Sequence, residues 1–350
     1  MLWLEKYRPK SFAEITSHKY LVSLLQNYDI ENIPHLILYG KNGSGKRTLL
    51  YSLIKHLYDD FPEVKLKKSE VEISSDQKIE IEYFESEEYI EINLSNYGYK
   101  DKTIVQTFIK QMAQTKPILE FLRPNKKSNA RILVIMNAEK LSKDAQAGLR
   151  RTVEQYSSSF RIILVCEQLS TIIDPIKSRF LSLRVNTFTY EEGLTIVKGI
   201  FNEENISFDE KFFKTIYEES NGNLKRILSL LETNHILLKD TKRKKLEIIK
   251  NEWEQKVENT INLLIRDQNT QSIKNAREDF YNLISSCIPA SLILQEMLRI
   301  LSKKVSFYIY KSLVAKATEC EERIRIGSKG ILHLECFVAY LVCLLTKKEV

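Results

Sequence analysis

Gly40-Lys41-Asn42-Gly43-Ser44-Gly45-Lys46-Arg47-Thr48 follows the apolar run Leu36-Ile37-Leu38-Tyr39 and leads into Leu49 to Tyr58, whose spacing is helical. The stretch reads as strand, glycine loop, helix. Glycines at 40, 43 and 45 free backbone N–H groups to curl around phosphate oxygens, the helix N-terminus adds partial positive charge, and Lys46 reaches the terminal phosphates. This is a P-loop with one change. The motif G-x-x-x-x-G-K is followed by Ser or Thr, whose hydroxyl holds Mg²⁺, and here that position is Arg47. Thr48 comes one residue late, roughly 100° further around the helix. An ordinary glycine turn is the competing reading; the flanking strand and helix favour phosphate binding, with metal-dependent chemistry in question.

A chain of 350 residues with 43% apolar content has room for two or three domains with ordinary cores. Lys and Arg outnumber Asp and Glu by 53 to 46, so the net charge of +7 permits an acidic partner such as nucleic acid without requiring one. The cysteines, at 166, 287, 320, 336 and 343, have no C-x-x-C spacing and sit mostly in apolar stretches. Buried free thiols in a reducing compartment are expected. Residues 1 to 9 carry Glu5, Lys6 and Arg8 and make no signal peptide, and the run Phe337 to Leu345 is far shorter than the ~20 residues of a membrane span. A soluble intracellular chain is expected, with no membrane partner.

Leu2 to Pro9 is an amphipathic entry segment stopped by a proline. Alternation in Val71-Glu72-Ile73, Ile79 to Tyr83 and Tyr89 to Ile92 predicts hairpin strands, one of which continues the sheet. Lys102 to Gln114 reads as a helix. Ile132-Leu133-Val134-Ile135-Met136 is a continuous apolar run, the mark of a strand covered on both faces, and the helix Lys143 to Tyr156 follows it. Strands at Ile162 to Val165 and Leu181 to Val185 repeat the pattern, which predicts an α/β domain with a parallel sheet flanked by helices. After Thr187 the alternation stops and helical spacing takes over, broken at Gly222 and at a basic linker, Lys239 to Lys245. Three domains are expected: a nucleotide-binding core over 1–186, a helical lid over 187–245 and an all-α domain over 246–350.

A P-loop ATPase needs an acid at the end of a neighbouring strand to hold Mg²⁺, and usually a second carboxylate to orient water. Where strand 132–135 should end in Asp-Glu, this chain has Met136-Asn137. Neither replaces the pair. Glu139 is either a displaced acid or the start of the loop before Lys143.

Glu5-Lys6-Tyr7-Arg8-Pro9, Pro34-His35-Leu36, the P-loop, Lys143-Asp144-Ala145-Gln146, Leu149-Arg150-Arg151-Thr152, Pro175-Ile176-Lys177-Ser178-Arg179 and Gly222-Asn223-Leu224-Lys225, in this order, resemble a small subunit of replication factor C. That family forms the AAA+ loader of the sliding clamp. Within it the chain is most similar to the member whose own ATPase site is degenerate. Cys287-Ile288-Pro289-Ala290 and Ile331-Leu332-His333-Leu334-Glu335 resemble that member's collar domain, which oligomerises.

The resemblance implies that Tyr7, Arg8 and Pro9 wrap the adenine and ribose of ATP or ADP. It implies that Gly40, Asn42, Gly43, Ser44, Gly45, Lys46, Arg47 and Thr48 surround the phosphates, with Lys225 at the lid position where active members carry arginine. Glu167 stands where they carry a polar Asn, and would repel a γ-phosphate. Arg179 becomes an arginine finger for the neighbouring subunit, in a segment where Pro175 discourages helix at an edge of the sheet. Four other subunits, the sliding clamp and primer-template DNA are the implied partners, in the nucleus, and no metal ligand set is assigned. Lys102, Lys143, Arg150 and Arg151 are then candidates for phosphate-backbone contacts, against the plainer reading of solvated helix faces. An ATPase acting alone and a DNA- or partner-binding scaffold with a relic P-loop are the other two classes. The missing Asp-Glu pair argues against the first, and bound ADP would argue against the second. The five histidines form no metal-ligand spacing and are read as structural, and Trp3 and Trp253 as packing anchors.

Overall fold

The protein is represented by a computed structural model that describes residues 2–58, 64–74, 77–86, 89–109, 131–156, 160–204, 206, 209–220, 222–240, 251–327 and 329–346. The chain divides into two compact units, Met1–Ile248 and Ile249–Val350.

In the first unit the described strands are β1 (Leu36–Tyr39), β2 (Lys65–Ser74), β3 (Gln77–Glu85), β4 (Tyr89–Asn93), β5 (Arg131–Met136), β6 (Phe160–Cys166) and β7 (Leu181–Arg184). They form one seven-stranded sheet in the order β2-β3-β4-β5-β6-β1-β7. From β4 to β7 every neighbouring pair is parallel, whereas β2-β3 and β3-β4 are antiparallel. The expected parallel sheet therefore carries an antiparallel extension, and both hairpin strands join it together with β4. Alternation explains the difference: Ile79, Ile81 and Tyr83 are buried while Leu66 and Phe84 are exposed, so these strands need cover on one face only.

The parallel strands are covered on both. Leu133 and Ile135 of β5 enter one core with Ile162 and Leu164 of β6. Ile132 and Val134 enter the opposite core with Leu36, Leu38 and Ile163. Helices close each face, being α2 (Lys19–Gln26), α3 (Lys46–Tyr58), α4 (Asp101–Ile104), α5 (Lys143–Tyr156) and α6 (Asp174–Lys177), whereas α1 (Trp3–Lys6) packs away from the sheet. Leu49, Leu50, Leu53 and Ile54 seat α3 on one face, and Ala145, Leu149 and Val153 of α5, spaced one turn apart, pack on the other.

Two local expectations are corrected. The helix predicted from Lys102 to Gln114 is a short α4 continuing as a π-helical turn, Val105–Ile109, and 110–114 lie outside the described residues. Pro175 does not prevent helix: it lies in the first turn of α6, where a missing N–H has no partner to lose.

The lid helices α7 (Tyr190–Glu203), α8 (Glu210–Ser220) and α9 (Leu224–Asp240) pack around Phe201, Phe213, Ile216 and Ile227, with Trp3 of the entry segment inserted among them. Thr189 and Glu192 close a reciprocal capping box on α7. The linker expected at Lys239 to Lys245 falls mostly outside the described residues.

The second unit is built from α10 (Glu252–Arg266), α11 (Thr270–Ser285), α12 (Ala290–Lys304), α13 (Phe307–Ile326) and α14 (Gly330–Thr346) around Ile261, Phe280, Met297, Leu313 and Phe337. Trp253 packs against this core, and Arg277 of α11 forks onto Glu335 of α14. The thiols depart from expectation: Cys166 and Cys320 are buried, but Cys287, Cys336 and Cys343 are exposed. Cys287 lies in the turn between α11 and α12, and Cys336 and Cys343 fall on the outward side of the amphipathic α14.

Candidate nucleotide-binding site

The β1-to-α3 turn opens into a cleft of about 850 Å³ within the first unit. Gly40 is required there by close approach, since a Cβ on it would stand 2.1 Å from the carbonyl oxygen of Val185. Gly43 has φ 75°, and a Cβ on it would run into the Asn223 side chain from the start of α9. Asn223 also accepts from the N–H of Arg226 and so caps that helix. The lid thus reaches the phosphate loop through Asn223.

Lys46 is folded back on its own loop, its ammonium donating to the carbonyls of Gly40 at 2.6 Å and Lys41 at 3.0 Å. Burial lowers its proton affinity, opposed by the nearby carboxylates of Glu167 and Glu139. Ser44 is fully buried and its hydroxyl lacks a hydrogen-bond partner among the described residues. His18 Nε2 lies 3.0 Å from the Ser44 carbonyl oxygen, with the Phe188 ring against the imidazole. An unpaired buried hydroxyl, a glycine cradle and a lysine amid the loop suit an anionic phosphate group.

The metal half of a P-loop site is filled differently. Arg47 donates from Nη2 to Glu91 at 2.8 Å and from Nε to the Tyr51 hydroxyl at 2.6 Å. Glu91, on β4 and only 6% exposed, also accepts from the hydroxyls of Tyr51 and Tyr89. Burial raises the Tyr89 phenol strongly, and the Glu91 charge adds to it. Met136, at the end of β5, packs against the core beneath α3, and Asn137 follows in the left-handed conformation, its amide 3.4 Å from Asn93. Glu139 lies in a 3₁₀ turn, Ala138–Lys140, and its carboxylate accepts from the N–H of Glu167. Burial pushes the neighbouring Cys166 thiol up to about 12, with Glu139 adding to the effect.

Of the predicted nucleotide residues, Tyr7, Arg8, Pro9, the loop from Asn42 to Thr48 and Lys225 all line the cleft, while Gly40 lies behind it against Val185. The entry segment is held to α7 and its end, Tyr7 and Lys6 both donating to Glu204 at 2.6 Å. Sequence reading gave no site role to Glu91, His18 or Asn223; the first two lie outside every motif quoted, and Asn223 stands within the Gly222-Asn223-Leu224-Lys225 motif without a role of its own.

The other candidates lie away from the cleft. Lys102 and Lys143 come together at the starts of α4 and α5, where Asp101 accepts from the N–H and hydroxyl of Ser142 and Lys102 pairs with Asp144 at 3.0 Å. Arg150 and Arg151 are exposed further along α5. Arg150 and Arg179 share one carboxylate: Arg150 lies 3.1 Å and Arg179 2.5 Å from Glu154 Oε1. Arg179 follows α6 and precedes the edge strand β7.

A seven-stranded sheet with a glycine phosphate loop after β1 and a helical lid defines an AAA+-type P-loop fold. In keeping with it, an arginine-to-alanine variant of Thermotoga maritima RuvB superimposes with a TM-score of 0.50 at 16% identity, over 74% of this chain and 80% of that one. A family model described as "Replication factor C subunit 3, C-terminal domain" matches residues 253–349, and one described as "DNA polymerase III, delta subunit" matches 17–189. Replication factor C subunit 3 of Arabidopsis thaliana is 33% identical over 97% of this chain and 96% of its own length. Subunit 5 of Saccharomyces cerevisiae is 32% identical over 98% and 99%, and human subunit 3 is 30% identical over 99% and 96%. The chain belongs to the replication factor C subunit 3/5 family.

Proposed function

We propose that this chain is a subunit of a nuclear clamp loader, joining four other replication factor C-type subunits that together place the sliding clamp on primer-template DNA. Its own cleft holds ADP or ATP without hydrolysing it. Its contribution to catalysis is Arg179, sent into the neighbouring subunit's site. The observation that carries this reading is Arg47 standing at the metal-hydroxyl position, tied to buried Glu91, with Met136 at the strand end where an acid would hold Mg²⁺. The residues of the cleft fit a nucleotide's phosphates and do not fit the metal.

Support for the DNA partner comes from the exposed cations of α4 and α5, which suit a phosphate backbone read as charge. The second unit is read as the collar through which the subunits associate. The purified full-length chain should retain adenine nucleotide through gel filtration and show no magnesium-dependent turnover of ATP. Turnover that Lys46→Ala abolishes would contradict the reading.

A further inference from the structure

We propose that Arg47 and Glu91 take the place of the divalent cation, so that this site binds nucleoside diphosphate equally well with and without metal. The inference rests on the reading of the cleft as an adenine-nucleotide site and concerns what that site requires. A metal ion needs free oxygen lone pairs. Glu91 is the carboxylate that this part of the cleft offers, and most of its acceptor capacity is taken: Oε1 accepts from Arg47, and Oε2 from Tyr51 and Tyr89. Tyr51 also accepts from Arg47 Nε, so the guanidinium is held at two points. A cation approaching between α3 and β5 meets a fixed positive charge and the thioether of Met136.

The other phosphate contacts do not run through a metal. Lys46, the loop N–H groups and the unpaired Ser44 hydroxyl do not depend on a metal for their positions, and the guanidinium is a permanent charge that a chelator cannot remove. A diphosphate suits this set better than a triphosphate, whose outer phosphate would approach Glu167 in the same cleft without a metal to offset the repulsion.

Glu91 is therefore a latent metal ligand held in check by Arg47. Arg47→Thr should expose it, supplying a hydroxyl and a carboxylate together. The test is direct titration of ADP into the full-length chain, with excess Mg²⁺ and with the metal chelated, each protein first checked by thermal melting. The wild type should show affinities within about twofold in the two media, whereas Arg47→Thr should lose about tenfold or more on chelation, roughly 1.4 kcal/mol. Arg47→Thr combined with Glu91→Gln, which leaves no buried charge to destabilise the fold, should bind weakly and equally in both media. A wild-type protein that loses tenfold on chelation would overturn the inference while leaving nucleotide binding intact, and so would a folded Arg47→Thr protein indifferent to metal. Absence of ADP binding in either medium would overturn the nucleotide reading itself.

Discussion

His35 stands just before β1, where its Nδ1 accepts the N–H of Ile162 at 3.1 Å. Burial, with the Arg161 charge adding to it, lowers the imidazole from 6.5 to about 4. A protonated ring would place a second donor against that N–H. Folded His35 thus binds its proton below the unfolded value, so its contribution is fully present above pH 6.5 and is lost as pH falls towards 4. Thermal melting should lose about 1 to 3 kcal/mol of stability across that window in the wild type, and clearly less in His35→Gln. An identical pH slope in the two proteins would contradict the assignment. At this scale the sequence was readable where each position is marked by its own neighbours: the absent hydroxyl at 47 lies in the glycine loop itself, and the absent acid at 136 ends an unbroken apolar run. Glu91, 44 residues from Arg47, was not, because the pairing exists only once β4 lies in the sheet beside β5.

Asp101 acts at the scale of the element. It is 2% exposed and accepts two bonds from Ser142, at 2.6 and 2.8 Å, which tie the start of α5 to α4. Ser142 in turn accepts from the N–H of Ala145 and caps the helix. Asp101→Ala leaves a buried N–H and a hydroxyl without their acceptor, so the protein should lose about 1 to 3 kcal/mol in denaturant unfolding. Asp101→Asn, which keeps one acceptor, should lose less; two variants as stable as wild type would show that the contact does not anchor α5. The helix itself was plain from its spacing, and so was β5 from its unbroken apolar run. The π-helical turn after α4 was not, since Val105, Phe108 and Ile109 fit an ordinary helical stripe equally well. The antiparallel hairpin was visible as alternation, but alternation alone does not say how many strands join the sheet.

Across the whole molecule, the proposed role of Arg179 is to donate charge to a neighbour. An arginine finger neutralises charge developing on the transferred phosphoryl group and is worth on the order of 10³ to 10⁵ in rate in GTPases. Loaders have several sites, so the loss in the whole assembly should be smaller. In the chain by itself Arg179 rests on Glu154, with its Nη1 donating to the carbonyl of Pro175 at 2.8 Å. Such an exposed pair is worth little and yields readily to a phosphate. The order of motifs along the chain made the family legible, whereas a residue's reach into another subunit is legible neither in one sequence nor in one chain. The measurement is clamp- and DNA-stimulated ATP hydrolysis by the reconstituted five-subunit assembly carrying Arg179→Ala, beside one carrying Lys46→Ala in this same chain. Both assemblies should melt normally, with hydrolysis lost at one site for Arg179→Ala and little changed for Lys46→Ala; wild-type hydrolysis in the Arg179→Ala assembly would contradict a finger role for this arginine.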